Sequence, residues 1–483
     1  MRGKVLEKLA ENELLAQPET IDYILKQKNP LAFCDKLKGE DFSGVITLKD
    51  LKGKFPKQKK RHRDRKKTVV VKKPKIKVDT SVEIRNNFTK CNAKADLQNF
   101  ISYFNDRYEK ISSMLRNRGE VQNLVSIQHL VPGEKCSIIG MVSDIRTTKN
   151  GHRMIEVEDQ SGKINVLAGK YKMDLFKLSE NILLDEIIAF QGTAGDGIFF
   201  CDSMAWPDIP LQKTPKTCND PVSVAFLSDI HVGSDHFLEK EFLKLISWIN
   251  GKIGSASQKE VASKIKYIVV AGDIIDGVGV YPGQEKELTI LDVHEQFAKA
   301  DEYFQLIRND IEIIISPGNH DAVRLPQPQP PLDKIADCFK SDNMHLVSNP
   351  ASVRIHNLFD ILIYHGVSFD KMVSSIPSLS NGYSQPQLIM EALLKRRHLS
   401  PSYGMDIATE KEDTLVIGQI PDIVHSGHVH SNGQSIYRGV RIINSGTWQS
   451  QTPFQVMVGH TPTPCKLPVL DLQENKLQII DFK

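Results

Sequence analysis

Carboxylate, imidazole and amide side chains recur in five short motifs in the second half of the chain, and together these side chains can bind divalent metal ions. The motifs are Asp229-Ile230-His231, Gly272-Asp273, Gly318-Asn319-His320-Asp321, Tyr364-His365-Gly366 and Gly427-His428-Val429-His430. Two metals about 4 Å apart need a bridging carboxylate, and mixed histidine, aspartate and asparagine ligands suit Mn²⁺, Fe²⁺, Zn²⁺ or Mg²⁺ better than thiophilic ions. The set predicts hydrolysis of phosphoesters at a two-metal centre.

A strand is predicted directly before each motif, because each follows an apolar run bounded by turn residues. The runs span residues 222–227, 267–271, 311–315, 361–363 and 423–424. Ligands that follow successive strands gather along one edge of a sheet, which is where open α/β sheets place their sites. We therefore expect the five motifs to meet at one edge.

In this order the motifs resemble those of the calcineurin-like metallophosphoesterase superfamily. Further stretches at residues 277–284, 318–330, 397–404 and 446–453 narrow the resemblance to the small subunits of archaeal family D DNA polymerases. The resemblance runs from about residue 120 to the end of the chain.

The resemblance implies a role for each motif residue. Asp229, His231 and His430 would hold one metal ion, Asn319, His365 and His428 would hold the other, and Asp273 would bridge the two. Mn²⁺ is the favoured ion, with Mg²⁺, Fe²⁺ and Zn²⁺ as alternatives. His320 would stabilise or protonate the leaving oxygen, and Asp321 is the predicted partner of its ring.

The function implied by the resemblance is metal-dependent 3′ to 5′ exonuclease activity that proofreads for a large catalytic polymerase subunit. DNA with single-stranded or mispaired 3′ ends would be the substrate, and a sliding clamp or other replication factors are further candidate partners. Two alternatives stay open. One is a non-catalytic scaffold that bridges the large subunit to other factors, and the other is a phosphatase or repair nuclease that works alone.

Length and composition predict a multidomain globular protein, since 483 residues exceed one core and 40% are hydrophobic and 25% charged. The predicted fold is α/β, a calcineurin-like metallophosphoesterase sandwich preceded by an OB-fold barrel and a small N-terminal helical region. The expected divisions, in chain order, are a helical region at 1–45, a basic flexible linker at 46–90, an amphipathic helical segment at 91–132, the barrel at 133–215 and the phosphoesterase domain at 216–483.

Basic residues are concentrated in one segment. Residues 52–77 contain 14 lysines and arginines, including Lys59, Lys60 and Arg61, against one acid, so they carry +13 while the whole chain carries +3. Self-repulsion favours an extended segment. It is either a solubilising linker or an arm that contacts DNA phosphates.

A second candidate DNA contact is Lys395-Arg396-Arg397, at the end of a helix predicted from residue 388. Basic residues are favoured at helix C-termini in any case, so a structural role is equally consistent with this cluster.

The other patterns predict core elements. Five short strands between residues 136 and 204 predict the OB barrel, which either binds single strands or docks protein. An apolar stripe on the helical segment is explained by core packing, and residues 456–458 are predicted to be a late strand of the phosphoesterase domain.

The cysteines and the N-terminus indicate the compartment. Seven scattered cysteines predict neither a thiolate zinc site nor a disulfide scaffold, which fits a reducing compartment. No apolar signal core or membrane-length apolar run is present in the sequence, so we expect a cytoplasmic protein with no membrane partner, associated with the nucleoid.

Overall fold

The computed structural model describes the chain except for residues 13, 28, 38–44, 48–50, 52–78, 90–95, 212–213, 333, 406 and 409. The basic segment and the predicted DNA contacts Lys59, Lys60 and Arg61 lie outside the described residues. The chain divides into two compact units, Met1–Ile76 and Lys77–Lys483.

The first unit is a small helical body with its own core. Its helices span Arg2–Glu11, Pro18–Leu25 and Pro30–Leu37, and two short parallel strands pair β1 (Leu15–Ala16) with β2 (Val45–Ile46). Pro18 begins the second helix, where its missing N–H costs no hydrogen bond. The apolar faces of the three helices meet in a core that includes Val5, Leu9, Ile24, Cys34 and Leu37.

The second unit begins with a strand that the sequence did not predict. Residues 82–87 fall within the linker expected at 46–90, but they form β3 (Val82–Asn87), which pairs antiparallel with the strand Ala351–Ile355. The prediction of a linker is wrong for this part. Most residues of β3 are exposed, so the burial pattern that identifies strands is weak here.

The helix Leu97–Arg116 follows, and Asp96 caps it by accepting a hydrogen bond from the Asn99 N–H at 2.7 Å. Its apolar stripe is only partly core. Ile111 is buried, whereas Leu97 is 74% exposed and Ile101 is 43% exposed. Core packing therefore explains the C-terminal part of the stripe and not its beginning.

A closed five-stranded barrel comes next, where the sequence predicts five strands. Its strands are β4 (Lys135–Thr147), β5 (Arg153–Asp159), β6 (Gly162–Ala168), β7 (Ile187–Ala194) and β8 (Ile198–Ala205). The order is β4-β5-β6-β8-β7, and only the β6–β8 pair is parallel. A short 3₁₀ helix, Ile127–His129, precedes the barrel, and the helix Met173–Ser179 joins β6 to β7.

The remaining strands build two six-stranded sheets. They are β9 (Ser223–Leu227), β10 (Ile265–Ala271), β11 (Glu312–Ser316), β12 (Met344–Leu346), β13 (Ala351–Ile355), β14 (Phe359–Ile363), β15 (Ile423–Ser426), β16 (Asn432–Tyr437), β17 (Val440–Ser445), β18 (Lys466–Asp471) and β19 (Lys476–Asp481). One sheet has the order β12-β11-β10-β9-β18-β19, and the other has the order β16-β17-β15-β14-β13-β3.

The two sheets pack face to face. Phe226 and Val269 from the first sheet share a buried cluster with Ile361 and Ile443 from the second. Both β9 and β14 are buried at all five positions, so their apolar residues are consecutive at 224–227 and 361–363 rather than alternating. The five strands predicted ahead of the motifs are all present, as β9, β10, β11, β14 and β15.

Helices cover the outer faces of both sheets. Those on the first sheet span Glu239–Ile249, Ala256–Lys264 and Val293–Gln305, and those on the second span Phe369–Ser375 and Pro386–Arg396. Short 3₁₀ turns occupy Gln284–Glu287, Lys334–Ala336 and Pro377–Leu379. Among the helices that the structure describes, none has the length and apolar character to cross a membrane.

The strand predicted at 456–458 is absent. These residues belong to, or directly follow, the short helix Pro453–Met457, which begins with a capping box between Thr452 and Gln455. Thr452 and Pro453 are strong signals for a helix start. The prediction was wrong because the apolar character of residues 456–458 was read as a core strand, whereas no residue of this helix is buried.

Candidate metal centre

The predicted ligands lie at the carboxyl ends of five strands. β9, β10 and β11 are parallel neighbours in one sheet, and β14 and β15 are parallel neighbours in the other. Each group of ligands therefore leaves its sheet at the same end. Backbone hydrogen bonds between the loops, such as Asp229 N–H to the Gly272 carbonyl at 2.9 Å, keep adjacent motifs in register.

Asp229, His231 and His430 form the first group of candidate ligands. Their ligand atoms lie within 4.8 Å of one another, and all three residues are buried. The Nε2 atoms of His231 and His430 are 3.0 Å apart, and His430 Nε2 is 3.4 Å from Asp229 Oδ1. Two imidazole nitrogens and a carboxylate aimed at one point are a donor set suited to a divalent ion.

Asp273 joins this group to a second one. Its Oδ2 lies 3.2 Å from His365 Nε2 and 3.8 Å from His231 Nε2. Asn319 Oδ1 is also 3.1 Å from His365 Nε2. Asp273 thus occupies the position between the two groups that a bridging carboxylate requires.

His428 lies at the edge of the second group. Its ring centroid is 5.2 Å from that of His365, and its backbone N–H donates to both carboxylate oxygens of Asp229 at 3.0 Å. All seven predicted ligands are therefore neighbours in the structure, although His428 belongs to none of the tightest three-residue groups.

Hydrogen bonds on the opposite ring nitrogen orient each histidine. His231 Nδ1 bonds to Asp276 Oδ1 at 2.9 Å, and His365 Nδ1 donates to the Ala271 carbonyl at 2.7 Å. His428 Nε2 bonds to Asp370 Oδ2 at 3.0 Å. An acceptor on one nitrogen holds the proton there and leaves the other lone pair available for a metal.

The fourth histidine is held by a side-chain amide. The Gln455 amide N–H donates to His430 Nδ1 at 2.9 Å, and Gln455 is itself fixed by the capping box with Thr452. This bond fixes the orientation of the His430 ring, whereas the other three histidines each contact an acceptor. Every candidate histidine ligand therefore has one ring nitrogen in a hydrogen bond.

The backbone at the site adopts conformations that are otherwise rare. Five of the seven candidate ligands have positive φ, and they are Asp229 at 49°, His231 at 55°, Asp273 at 52°, His428 at 71° and His430 at 53°. Strain of this kind persists only where the surrounding structure imposes it, and it is concentrated at functional sites.

Two glycines leave the space that the carboxylates occupy. A Cβ on Gly318 would lie 2.1 Å from Asp273 Oδ1, and a Cβ on Gly427 would lie 2.2 Å from Asp229 Oδ2. No other residue fits at either position without displacing a candidate ligand.

Acids and imidazoles at the site shift each other's protonation. Burial opposes a charge on His231, but its hydrogen bond to Asp276 and the nearby carboxylates raise its pKa to about 9. Burial likewise opposes a charge on His365, but the nearby Asp273 carboxylate favours it, and the net effect raises the pKa of His365 to about 10. Burial raises the pKa of Asp273, but the surrounding histidines hold it well below its usual value. A divalent cation would take the place of these protons.

His320 also lies at the site, but its partner is not the predicted one. Its Nδ1 donates to the backbone carbonyl of Asp276 at 2.7 Å, and its ring lies 4.8 Å from that of His231. Burial lowers the pKa of His320.

Asp321 has a different task from the one predicted. Its Oδ1 accepts the N–H groups of Ile274 and Ile275 at 2.8 and 3.0 Å, and its Oδ2 accepts that of Gly318 at 2.8 Å. The predicted pairing of Asp321 with His320 is wrong, because these backbone donors satisfy both carboxylate oxygens. Asp321 ties the loop after β10 to the loop after β11.

Asp276, Asp370 and Gln455 are contacts that the sequence prediction missed. Asp276 had a local signal, since it is a second acid three residues after Asp273 in the same loop. Asp370 and Gln455 lie far along the chain from the histidines they contact, His428 and His430, so no spacing rule points to them.

The basic cluster predicted to contact DNA is instead structural at two of its three positions. Arg396 and Arg397 are each 5% exposed. Arg396 pairs with Glu186 at the start of β7, and Arg397 donates to the carbonyls of Ile417 and Gly418.

Lys395 is the third member of that cluster and is half-buried. Its Nζ lies 4.2 Å from the centre of the Trp206 ring, and burial lowers its pKa. The prediction of a DNA contact is wrong for Arg396 and Arg397, because both guanidinium groups are buried and bonded within the protein, Arg396 to Glu186 beside the barrel and Arg397 to backbone carbonyls.

A cleft of about 580 Å³ opens beside the site and gives access to it. Its walls combine polar and apolar side chains, namely Asn319, Leu325, Val367, Asp370, Lys371, Ser374, Gly404, Met405 and His428. Asn319 and His428 are candidate ligands, so a molecule in this cleft contacts the candidate metal-binding groups directly.

Fold and site together define an α/β protein with a buried cluster of carboxylates and histidines, suited to divalent metals, at the edge of two facing sheets. The model of the family described as the B subunit of DNA polymerases alpha and epsilon matches residues 224–432, which hold all seven candidate ligands. The DNA polymerase II small subunit of Methanothermobacter thermautotrophicus is 44% identical over 387 residues, or 79% of this chain and 79% of that protein.

A second DNA polymerase II small subunit, from Methanocaldococcus jannaschii, is 41% identical over 406 residues, covering 82% of this chain and 68% of that protein. A third, from Halobacterium salinarum strain R1, is 38% identical over 408 residues, covering 83% and 78%. The chain belongs to this family, the small subunits of archaeal family D DNA polymerase, which confirms the resemblance seen in the motifs.

Proposed function

We propose that this chain is a metal-dependent 3′ to 5′ DNA exonuclease that proofreads as the small subunit of a replicative polymerase. The observation that carries the proposal is the convergence of seven candidate ligands at the carboxyl ends of strands from two facing sheets, with every histidine hydrogen-bonded through its other nitrogen. This arrangement holds five candidate ligands at positive φ and requires glycine at positions 318 and 427. A subunit that serves only as a scaffold gains nothing from such strain.

The residues present fit two metal ions. Asp229, His231 and His430 would hold one, and Asn319, His365 and His428 the other, with Asp273 between them. Two divalent ions, with Mn²⁺ favoured and Mg²⁺, Fe²⁺ or Zn²⁺ as alternatives, would neutralise the scissile phosphate and lower the pKa of the attacking water.

His320 would handle the proton of the leaving group. Its Nδ1 proton is committed to the Asp276 carbonyl, so only Nε2 can exchange a proton with the substrate. A phosphate beside the ring favours the protonated imidazole. His320 Nε2 would then donate its proton to the leaving oxygen as the phosphorus–oxygen bond breaks. Asp273 and Asp321 hold the surrounding loops in place through their backbone hydrogen bonds.

The architecture is consistent with this function. We assign the paired sheets to the calcineurin-like metallophosphoesterase sandwich and the barrel, with its single parallel pair, to the OB fold. The large catalytic subunit and DNA 3′ ends would be its partners, with a sliding clamp as a further one, in the cytoplasm at the nucleoid. The proposed domain limits are those predicted, except that the linker ends before Val82.

Digestion of a 5′-labelled single-stranded oligonucleotide in Mn²⁺ tests the proposal. The wild-type chain should give products that shorten from the 3′ end, while His320→Ala and Asp273→Asn should give none. His294→Ala is the matched control, because His294 is exposed on the helix Val293–Gln305 and should leave the rate unchanged.

The same assay separates the exonuclease from the scaffold. A scaffold would bind the large subunit equally well in all four proteins, and its DNA would stay intact even with that subunit present. Intact DNA in the complex would therefore refute the proposed activity. Metal analysis of the wild-type and Asp273→Asn proteins gives an independent readout, with metal content expected to fall in the variant.

A further inference from the structure

An exposed apolar patch borders the candidate metal centre. It consists of Phe454, Val456, Met457 and Val458, which are 59%, 61%, 75% and 56% exposed. Four consecutive or near-consecutive apolar side chains on one short segment are unusual for a surface that contacts only water.

Hydrogen bonds hold this patch beside the metal-binding groups. Gln455, which lies between Phe454 and Val456, contacts His430 Nδ1 at 2.9 Å. The Thr463 N–H donates to the His430 carbonyl at 2.9 Å, so the segment is tied to the same histidine both within the patch and after it. The helix Pro453–Met457 therefore cannot move away without disturbing a candidate ligand.

A second set of contacts joins the end of the patch to the other metal group. The His460 ring lies 5.6 Å from that of Tyr383, and the Tyr383 hydroxyl donates to Asp370 Oδ1 at 2.9 Å. Asp370 in turn bonds to His428. The patch is thus linked to a histidine of each candidate metal group.

The chemistry of the segment suits uncharged rings. From 442 to 465 the sequence contains no aspartate, glutamate, lysine or arginine. Such a surface offers nothing to a phosphate backbone, but an aromatic ring and a polarisable thioether pack well on the faces of nucleobases. The terminal phosphodiester of a DNA strand would reach the metal groups with its bases outside them, and the Gln455 contact with His430 places this patch next to a candidate ligand.

We propose that Phe454 and Met457, supported by Val456 and Val458, form a stacking surface for unpaired nucleobases at the 3′ end of DNA. This inference rests on the proposed exonuclease function. It makes the surface select frayed or single-stranded ends, since paired bases are stacked within the duplex and cannot reach it.

Binding of single-stranded oligonucleotides, measured by fluorescence anisotropy with the full chain, tests the inference. One oligonucleotide carries natural bases, and the other has abasic residues at its 3′ end. Phosphorothioate linkages at that end slow hydrolysis in both. The test variant is Phe454→Ala with Met457→Ala, and the control is Leu306→Ala with Ile436→Ala, two apolar side chains outside the patch and the barrel that are 54% and 57% exposed.

The test variant should bind the natural oligonucleotide about 5- to 20-fold more weakly than wild type and the abasic one with unchanged affinity. The control variant should match wild type on both. Equal weakening on both oligonucleotides, or no weakening, would overturn the inference. Unchanged DNA binding with loss of the large subunit during purification would also overturn it, because the patch would then be a protein interface.

The inference and the proposed function can fail separately. If the wild-type chain binds bases through the patch but never cleaves unmodified DNA in Mn²⁺, the exonuclease proposal fails and base recognition is supported. The opposite result is that the wild-type chain cleaves DNA and that the ratio of KM for abasic ends to KM for natural ends is the same in wild type and in the double variant. In that case only the stacking surface is refuted.

Discussion

Replacing Asp276 by asparagine should weaken one of the two proposed metal sites, and it tests how a neighbouring carboxylate affects the metal affinity of a candidate histidine ligand. Asp276 Oδ1 lies 2.9 Å from His231 Nδ1, and its side chain is 2% exposed. An asparagine oxygen can still accept the Nδ1 proton, but the negative charge that makes Nε2 a better donor to a metal is lost.

The expected magnitude follows from burial. Loss of such a partner typically weakens metal binding by about 10- to 100-fold, and Asp276 should lie at the upper end because a buried charge is poorly screened by water. Asp370 makes the same kind of bond to His428 at 3.0 Å, but its side chain is 59% exposed. Asp370→Asn should therefore weaken binding by less than about fivefold, the range of exposed charge pairs.

Calorimetric titration of Mn²⁺ into the metal-free wild-type chain and the two variants measures this difference. The wild-type chain should show two sites, and Asp276→Asn should show one of them weakened. Thermal unfolding of the metal-free proteins checks that the variants are folded. Similar losses in the two variants, or a larger loss for Asp370→Asn, would refute the link between burial of the carboxylate and metal affinity.

Three further predictions concern the site and the core. Gly318→Ala should abolish tight Mn²⁺ binding without unfolding the chain, because its Cβ would lie 2.1 Å from Asp273 Oδ1. The control for the calorimetric titration is Gly119→Ala, whose Cβ has no atom within 4 Å. Equal Mn²⁺ affinities of the two variants would contradict the prediction. Burial lowers the pKa of His425 to about 3 in the folded chain. In the unfolded chain the same imidazole is protonated as the pH falls below about 6.5, so protonation there favours the unfolded state. The free energy of unfolding should then fall by up to about 1.4 kcal/mol per pH unit toward pH 3. Denaturant titrations across this range should show a shallower fall for His425→Gln, and parallel curves would refute the assignment. Arg107→Met should cost about 3–5 kcal/mol of unfolding free energy because it leaves buried Asp413 without its guanidinium partner, whereas Lys299→Met, which breaks the exposed pair with Glu302, should cost at most about 1 kcal/mol in the same titration.

The candidate site shows which features local sequence can predict. The five motifs and the strands before them were predictable, because a buried strand is a short apolar run and a ligand at its end is the next polar residue. The barrel strands were predictable for the same reason. The exposed strand Val82–Asn87 has no such pattern and was assigned to a linker.

The errors arise where a local pattern has two structural outcomes. Arg396 and Arg397 lie at a helix C-terminus, as basic residues often do. Contacts with distant residues bury them, since Arg396 pairs with Glu186 beside the barrel and Arg397 donates to the carbonyls of Ile417 and Gly418. The apolar residues 456–458 resemble a strand, but Thr452 and Pro453 begin a helix there and leave them exposed. In both cases burial depends on distant residues, and sequence spacing carries no information about it.

The sequence by itself determined the family, the candidate metal-binding side chains and the strands that precede them, because these depend on residue type and on patterns over a few positions. Only the tertiary structure decided which atoms anchor the histidines, since Asp370 and Gln455 reach His428 and His430 from segments 58 and 25 residues away. It also decided that Asp321 bonds to the backbone of two loops and not to the His320 ring. Such contacts depend on how separate segments pack, and a hydrogen bond forms with whichever acceptor that packing brings within reach.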